Sequence, residues 1–150
     1  MLAQPAGWEE KVDPGLAAIV QQARGASAID LAQAYQARAR DYDAVRRFFE
    51  RFDLLLTPSY AAPAWRLGLS HFDEVAGQKV PPAEPALLTL LFNLTGQPAA
   101  TVPCGWTADG LPLGLQIVGR RHEDALVLRA AAAFEAAAPW ADRRPSLVEG

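Results

Sequence analysis

The sequence is short of the residue types from which metal centres, disulfides and charge-relay sites are assembled. Among 150 residues there are one cysteine, two histidines and one methionine. A single cysteine excludes an internal disulfide and any thiolate cluster, which makes a reducing, cytoplasmic setting the expectation. The two histidines, His71 and His122, stand 51 positions apart and give no ligand spacing of the kind zinc requires, so no metal is expected. Lysine is almost absent. Lys11 and Lys79 are the only two, and the remaining positive charge comes from scattered arginines. With a net charge of -3 and a pI near 5.3 there is no basic face to follow a phosphate backbone, so nucleic acid is not an expected partner. Long apolar runs are missing too. None approaches the roughly 20 residues that span a bilayer, and no cationic start followed by an apolar stretch marks a secretion signal, so no membrane partner is expected. No Gly-x-Gly-x-x-Gly joins a strand to a helix, and no nucleotide or other cofactor is implied.

What is present is an ordinary globular balance, 51% hydrophobic and 21% charged, with enough apolar material for a single domain over residues 1–150. Residues 1–13, rich in Gly, Pro and charge around Trp8, read as an extended leading segment. Pro14 suits a first helical turn, and Leu16, Ile19, Val20 and Ala23 follow at helical spacing until Gly25. Ser27 with Asp30 three residues on resembles a helix cap with an acidic first turn, and neither Gly nor Pro intervenes before Pro58. Leu31, Tyr35, Arg38, Tyr42, Val45, Phe49 and Phe52 recur at steps of four and three. They predict a helix of about 22 residues, roughly 33 Å long, whose aromatic face lies along the chain's own sheet. Three heptads are too few for a coiled coil.

Leu54, Leu55 and Leu56 form a continuous apolar run that suits a strand covered on both faces. Between Ser59 and Pro85 prolines and glycines recur without a helical period, predicting a long loop of the kind that serves a site or a partner. The organising stretch is Phe92 to Gly119. An apolar run from Leu87 ends a helix at Gly96, which supplies a left-handed residue at low steric cost, and two β-prone runs then flank an Asp109-Gly110 turn. Leu54–Thr57, Ala99–Cys104 and Leu113–Val118 are expected in one mixed sheet of about three strands covered by helices, an α/β arrangement. The turn makes the last two antiparallel, and a helix-containing crossover favours a parallel relation of the first to Ala99. Glu123 and Asp124 open a last helix with Leu126, Ala130, Ala133, Phe134 and Ala137 on its apolar face. Pro139 ends it, and residues 139–150 form an irregular tail.

Two nucleophile arrangements can be written: Ser59 with His71 and Asp73, and Cys104 with His71 or His122. Ser59 lacks a Gly-x-Ser-x-Gly elbow, and Cys104, between Pro103 and Gly105, reads as a small buried hydrophobe. No residue is therefore assigned a catalytic role. In α/β sheets ligands gather beyond the carboxyl ends of strands. Thr57, Pro58, Ser59 and Tyr60, which leave the Leu54 strand, and Asn93, which opens the turn running to Gln97, are accordingly the substrate-pocket candidates. Each could equally be a cap or turn that satisfies backbone groups.

Three blocks in this order, Asn93-Leu94-Thr95-Gly96-Gln97-Pro98-Ala99, Val102-Pro103 and Asp109 to Gly119, preceded by Asp53-Leu54-Leu55-Leu56-Thr57-Pro58, closely resemble the C-terminal part of amidase-signature hydrolases. The resemblance covers roughly Val12 to Pro145. It implies that the chain is part of a larger α/β/α amidase fold that hydrolyses a carbon-nitrogen amide bond by a Ser, cis-Ser, Lys mechanism. None of Ser27, Ser59, Ser70 and Ser146 stands in the family's Gly-Ser-Ser-Gly context, so the catalytic residues are expected outside this chain. The chain alone is then expected to be inactive. Its partners would be a small-molecule amide in the intact protein, the missing N-terminal catalytic part, and further copies of itself through an exposed apolar sheet edge. The alternative is a non-catalytic truncated or split-gene product that acts only by association with a partner. Gly96-Gln97-Pro98 and Ala138-Pro139-Trp140 with Asp142-Arg143-Arg144-Pro145 resemble broad amidases, cyclic-amide hydrolases included, more than the A subunit of glutamyl-tRNA amidotransferase.

Overall fold

The computed structural model describes residues 6–69, 74–81 and 86–143. They form two compact units, the first running through Ala39 and the second starting at Arg40.

The first unit is built from local rules. A 3-10 turn occupies Trp8–Lys11 within the leading segment, and α1 follows at Pro14–Ala23. Asp13 caps α1, its carboxylate accepting from the backbone N–H groups of Gly15 at 2.8 Å and Leu16 at 3.2 Å, while Pro14 fills a position whose N–H would be unused. α2 spans Ala28–Phe48. Ahead of it stands a reciprocal capping box. The Ser27 hydroxyl accepts from Asp30 N–H at 3.1 Å, and the Asp30 carboxylate accepts from Ser27 N–H at 2.8 Å. Arg24 lies over the Trp8 ring, 5.8 Å from its centroid, and pairs with Glu9 at 3.7 Å.

The second unit is a three-stranded sheet with helices on both faces. β1 is Leu54–Pro58, β4 is Ala99–Trp106 and β5 is Pro112–Gly119, in the order β1-β5-β4. β1 pairs antiparallel with β5 from Leu54 opposite Gly119 to Pro58 opposite Leu115, and β4 pairs antiparallel with β5 from Ala99 opposite Val118. The expected parallel sense of the first strand relative to Ala99 is present. The two strands are not neighbours, however, because β5 enters between them, and both hydrogen-bonded pairings within this three-stranded sheet are antiparallel, so it is not mixed. The loop from Ser59 also contains a small hairpin, β2 at Glu74–Val75 and β3 at Gln78–Lys79, joined by Ala76 and Gly77 with φ of 52° and 80°. Two positive φ values make a turn whose twist matches its strands.

Side chains alternate along β5 and feed two cores. Val118 joins Phe49 and Phe92, with Val45, Phe48, Leu55 and Leu91 around them. Ile117 joins Val102 and Val127, with Leu115, Ala130, Ala131, Phe134 and Trp140. α3, Leu87–Thr95, contributes Phe92 to the first core and ends at Gly96, which has φ 80° and returns its N–H to Phe92 at 2.7 Å. α4, Asp124–Ala137, contributes Val127 to the second.

Three sequence expectations are corrected. The aromatic face of α2 is buried only near its end: Leu31 and Tyr35 are 57% and 62% exposed, whereas Phe49 is 2% exposed. Of that face, Val45, Phe48 and Phe49 pack with Phe92 and Leu91 of α3 and with Val118. The buried face of α4 runs through Val127, Ala130, Ala131 and Phe134, with Ala133 and Ala137 outside, because packing centres on Val127 rather than Leu126. β1 is an edge of the described sheet, and Leu56 is 57% exposed.

Truncating Phe49 to Ala removes a ring that touches both helices and the sheet, and should cost about 3–5 kcal/mol in denaturant melts. A cost under about 1 kcal/mol would show that the ring is not packed as described. The capping box carries a sign of its own. The Ser27 hydroxyl and then its N–H donate to the Asp30 carboxylate and hold its pKa below the ordinary 3.8. A lowered folded pKa gives stability that is present above 3.8 and lost as pH falls through the lower value. Helicity should therefore drop on acidification below about pH 4, and Asp30→Asn should make that drop shallower. It should not vanish, since Arg47 and then Arg46 lower Asp43 in the same direction. An unchanged acid curve in Asp30→Asn would remove the cap from this account.

Candidate functional site

β1 leaves the sheet at Pro58, and the ladder continues one residue further where Ser59 N–H donates to the Gly114 carbonyl at 2.8 Å. The Ser59 hydroxyl then passes over Gly114 to reach Thr101 Oγ1 on β4 at 3.0 Å. That crossing explains the glycine. A Cβ on Gly114 would stand 2.7 Å from Ser59 Oγ, closer than real Cβ contacts come, and 3.0 Å from both Ser59 Cβ and Thr101 Cγ2, which is tight. Next along β5, Gln116 is 3% exposed and uses its amide N–H groups on Thr57 Oγ1 and the Leu88 carbonyl, each at 2.9 Å. A buried amide without partners would cost stability; here it ties β1 to α3.

The other face of the same strand ends holds a hollow of about 560 Å³, within the size range of small-molecule sites. Pro58, Tyr60, Trp65, Cys104, Pro112 and Leu113 are among its walls, so its surface is largely apolar and aromatic. The Tyr60 and Trp65 rings stand 5.8 Å apart at 40°, and Trp65 Nε1 donates to the Leu69 carbonyl at 2.8 Å. Cys104 reaches the hollow through a β-bulge. Pro103 opposes Gly114 and Gly105 opposes Leu113, which leaves Cys104 as the extra residue, turned outward.

The five pocket candidates are thus divided. Pro58 and Tyr60 line the hollow. Thr57 and Ser59 spend their hydroxyls on Gln116 and Thr101. Asn93 is exposed on α3 and is not among the lining residues. The turn after it is a helix end: Thr95 Oγ1 donates to the Leu91 carbonyl at 2.9 Å and also meets the Gln97 side chain. Cys104 is exposed rather than buried, because the bulge takes it out of the strand's alternation.

Of the nucleophile arrangements, only Cys104 with His122 falls wholly among the described residues, and it does not assemble. His71 and Asp73 lie outside the described residues. Cys104 is beside the start of β5 and His122 follows its end, and eight strand residues at about 3.3 Å each separate them by roughly 26 Å. The group of at least three His, Cys, Asp or Glu that a metal would need does not occur among the described residues. Among the same residues no helix is long and apolar enough to cross a membrane. The sequence reading missed Trp65 and the outward turn of Cys104. The glycine directly after Cys104 was the available sign of a bulge.

A sheet with helices on both faces agrees with the α/β arrangement that the resemblance to amidase-signature hydrolases implies. The chain belongs to the amidase family, which it matches over residues 7–128. It is 37% identical to an acylamidase of Rhodococcus erythropolis over 151 aligned positions, covering 93% of this chain and 30% of that protein. Among solved structures it superimposes on a bacterial aryl acylamidase of the amidase-signature family with a TM-score of 0.79 and 31% identity, covering 93% of this chain and 30% of the other. It superimposes on 6-aminohexanoate cyclic dimer hydrolase with a TM-score of 0.76 and 31% identity, covering 93% and 31%. The chain therefore spans about 30% of the length of the relatives it matches.

Gly114→Ala should cost about 1–3 kcal/mol by overpacking, whereas Ser59→Ala should cost less, since it loses one partly exposed hydrogen bond. The pair Gly114→Ala with Ser59→Gly should recover part of the loss. Strict additivity in the double-variant melt would show that the two sites do not meet over β5.

Proposed function

We propose that this chain is the C-terminal part of an amidase that hydrolyses a carbon-nitrogen amide bond, with catalytic serines and lysine supplied from outside these 150 residues. In that chemistry a serine Oγ adds to the amide carbonyl and the amine leaves. A second serine and the lysine pass the proton, and water releases the acid from the acyl-enzyme. The observation that carries the reading is the family match over residues 7–128, joined to relatives of which this chain spans about 30%.

The role left to this chain is shape. The hollow beside Pro58, Tyr60 and Trp65 accepts a flat or aliphatic group and supplies few polar atoms, which fits the non-reacting part of an amide substrate better than the reacting carbonyl. An aryl amide such as an anilide presents such a flat group, and one solved structure similar to this chain is an aryl acylamidase.

Loss of nucleophile and base typically removes about a million-fold of turnover. The isolated chain should therefore show no anilide hydrolysis and no labelling by a serine-reactive fluorophosphonate. Supplying the remaining part of an acylamidase relative, which on this reading precedes the present chain, fused or in trans, should restore both, with the label on a serine of the added part. If the isolated chain hydrolyses anilides and loses that activity on Ser59→Ala or Cys104→Ala, the proposal fails. If the added part restores nothing, the non-catalytic reading takes its place.

A further inference from the structure

A second hollow, of about 360 Å³, opens at the opposite end of β1, where Phe49 and Arg120 stand beyond the Leu54–Gly119 pair. We propose that it binds a small organic carboxylate with a flat apolar body. Its walls combine the rings of Tyr42 and Phe49 with Arg46, Arg120 and Arg121, the Gln97 amide and one carboxylate, Glu50, which is paired with Arg46.

The charges around it do not cancel. Arg46 and Arg47 share Asp43, and Arg46 also binds Glu50. Arg120 directs Nε and Nη2 to the Phe49 carbonyl at 3.1 and 2.8 Å and stands 3.6 Å from Asp53. Four guanidinium groups thus meet three carboxylates. Arg121 is the one left over. Among the described residues it forms no ion pair, and Glu123 and Asp124, two and three positions on, do not approach within pairing distance. Its guanidinium lies 5.8 Å from the Tyr42 ring centroid, which leaves the donor edge of the fork available.

These features select the ligand. A guanidinium fork matches the two oxygens of a carboxylate, and an aromatic wall favours a flat body attached to it. One surplus cation suits one negative charge. The volume is at the small end of the range for ligand sites, which favours a single ring. The site is separate from the Pro58 hollow and does not depend on the amide chemistry proposed above.

The test titrates the full 150-residue chain with benzoate and with its neutral isostere benzamide at low ionic strength, followed by amide chemical shifts. Benzoate should bind with a dissociation constant on the order of 1 mM, perturb Gln97, Arg120 and Arg121, and bind at least tenfold more tightly than benzamide. Arg121→Gln, an exposed change that should leave the circular dichroism unaltered, should weaken benzoate at least tenfold. Arg121→Lys should restore part of the affinity, and Arg129→Gln on α4 should have no effect. Equal binding of the two ligands, no binding of benzoate, or unchanged benzoate affinity in Arg121→Gln would each overturn the proposal.

Discussion

The second unit depends on β5 being buried from both sides at once. Gln116, Ile117, Val118 and Gly119 are all buried, and consecutive residues face opposite layers. Val118 must fit between Phe49 and Phe92, while Ile117 must fit against Val102 and Val127. No slip of one residue is tolerable, because it would send every side chain of the strand to the wrong layer. Gln116 adds a polar condition to this steric one. Its two donors need Thr57 on the neighbouring strand and Leu88 on α3 together, so the register of β1 and the height of α3 are fixed by the same amide.

Once β5 is placed, its two ends acquire different chemistry. At the Gly114 end the strand must shrink to let Ser59 reach Thr101, and β4 relieves the local mismatch with a bulge at Cys104. The result is an apolar hollow with no charged side chain on its wall. At the Gly119 end the chain turns at once into Arg120 and Arg121. Arg120 closes the carbonyl end of the helical segment at Phe49, a place where a cation also complements the helix dipole. Arg121 has no such duty. The contrast between an apolar end and a cationic end follows from which residues flank one strand.

The parts of this arrangement that could be read in the sequence are those dictated locally. Gly96 ends α3, Ser27 and Asp30 cap α2, and the Asp109-Gly110 turn joins β4 to β5, each by a rule that operates within a few residues. What escaped reading was set by non-local packing. The insertion of β5 between β1 and β4 cannot be deduced from the loop that precedes it, since direction along the chain fixes the sense of a strand but not its neighbour. Tyr35 and Phe49 occupy equivalent positions in one heptad pattern, yet one is exposed and the other buried, a difference the pattern itself does not carry. The pocket residues divided for a related reason. Thr57, Pro58, Ser59 and Tyr60 are consecutive, and a pleated backbone sends alternate members to opposite faces. A four-residue candidate there was bound to split.

That split bears on how the chain can serve an amidase. The hydroxyls of Thr57 and Ser59 are already hydrogen-bonded inside the sheet, and neither bond involves a base that could take a proton. Pro58 and Tyr60, which do face the hollow, offer a rigid ring and an aromatic one. A nucleophile needs an acceptor within about 3 Å and a site for the developing oxyanion, and those groups would have to come to this hollow from another segment. In the function proposed above, a wall of Pro58, Tyr60, Trp65 and Leu113 has a different use: it would hold the inert portion of a substrate in one orientation, and binding energy gathered there would be spent at a carbonyl some ångströms away. Under the function proposed above, this strand geometry suits selecting a substrate rather than attacking it.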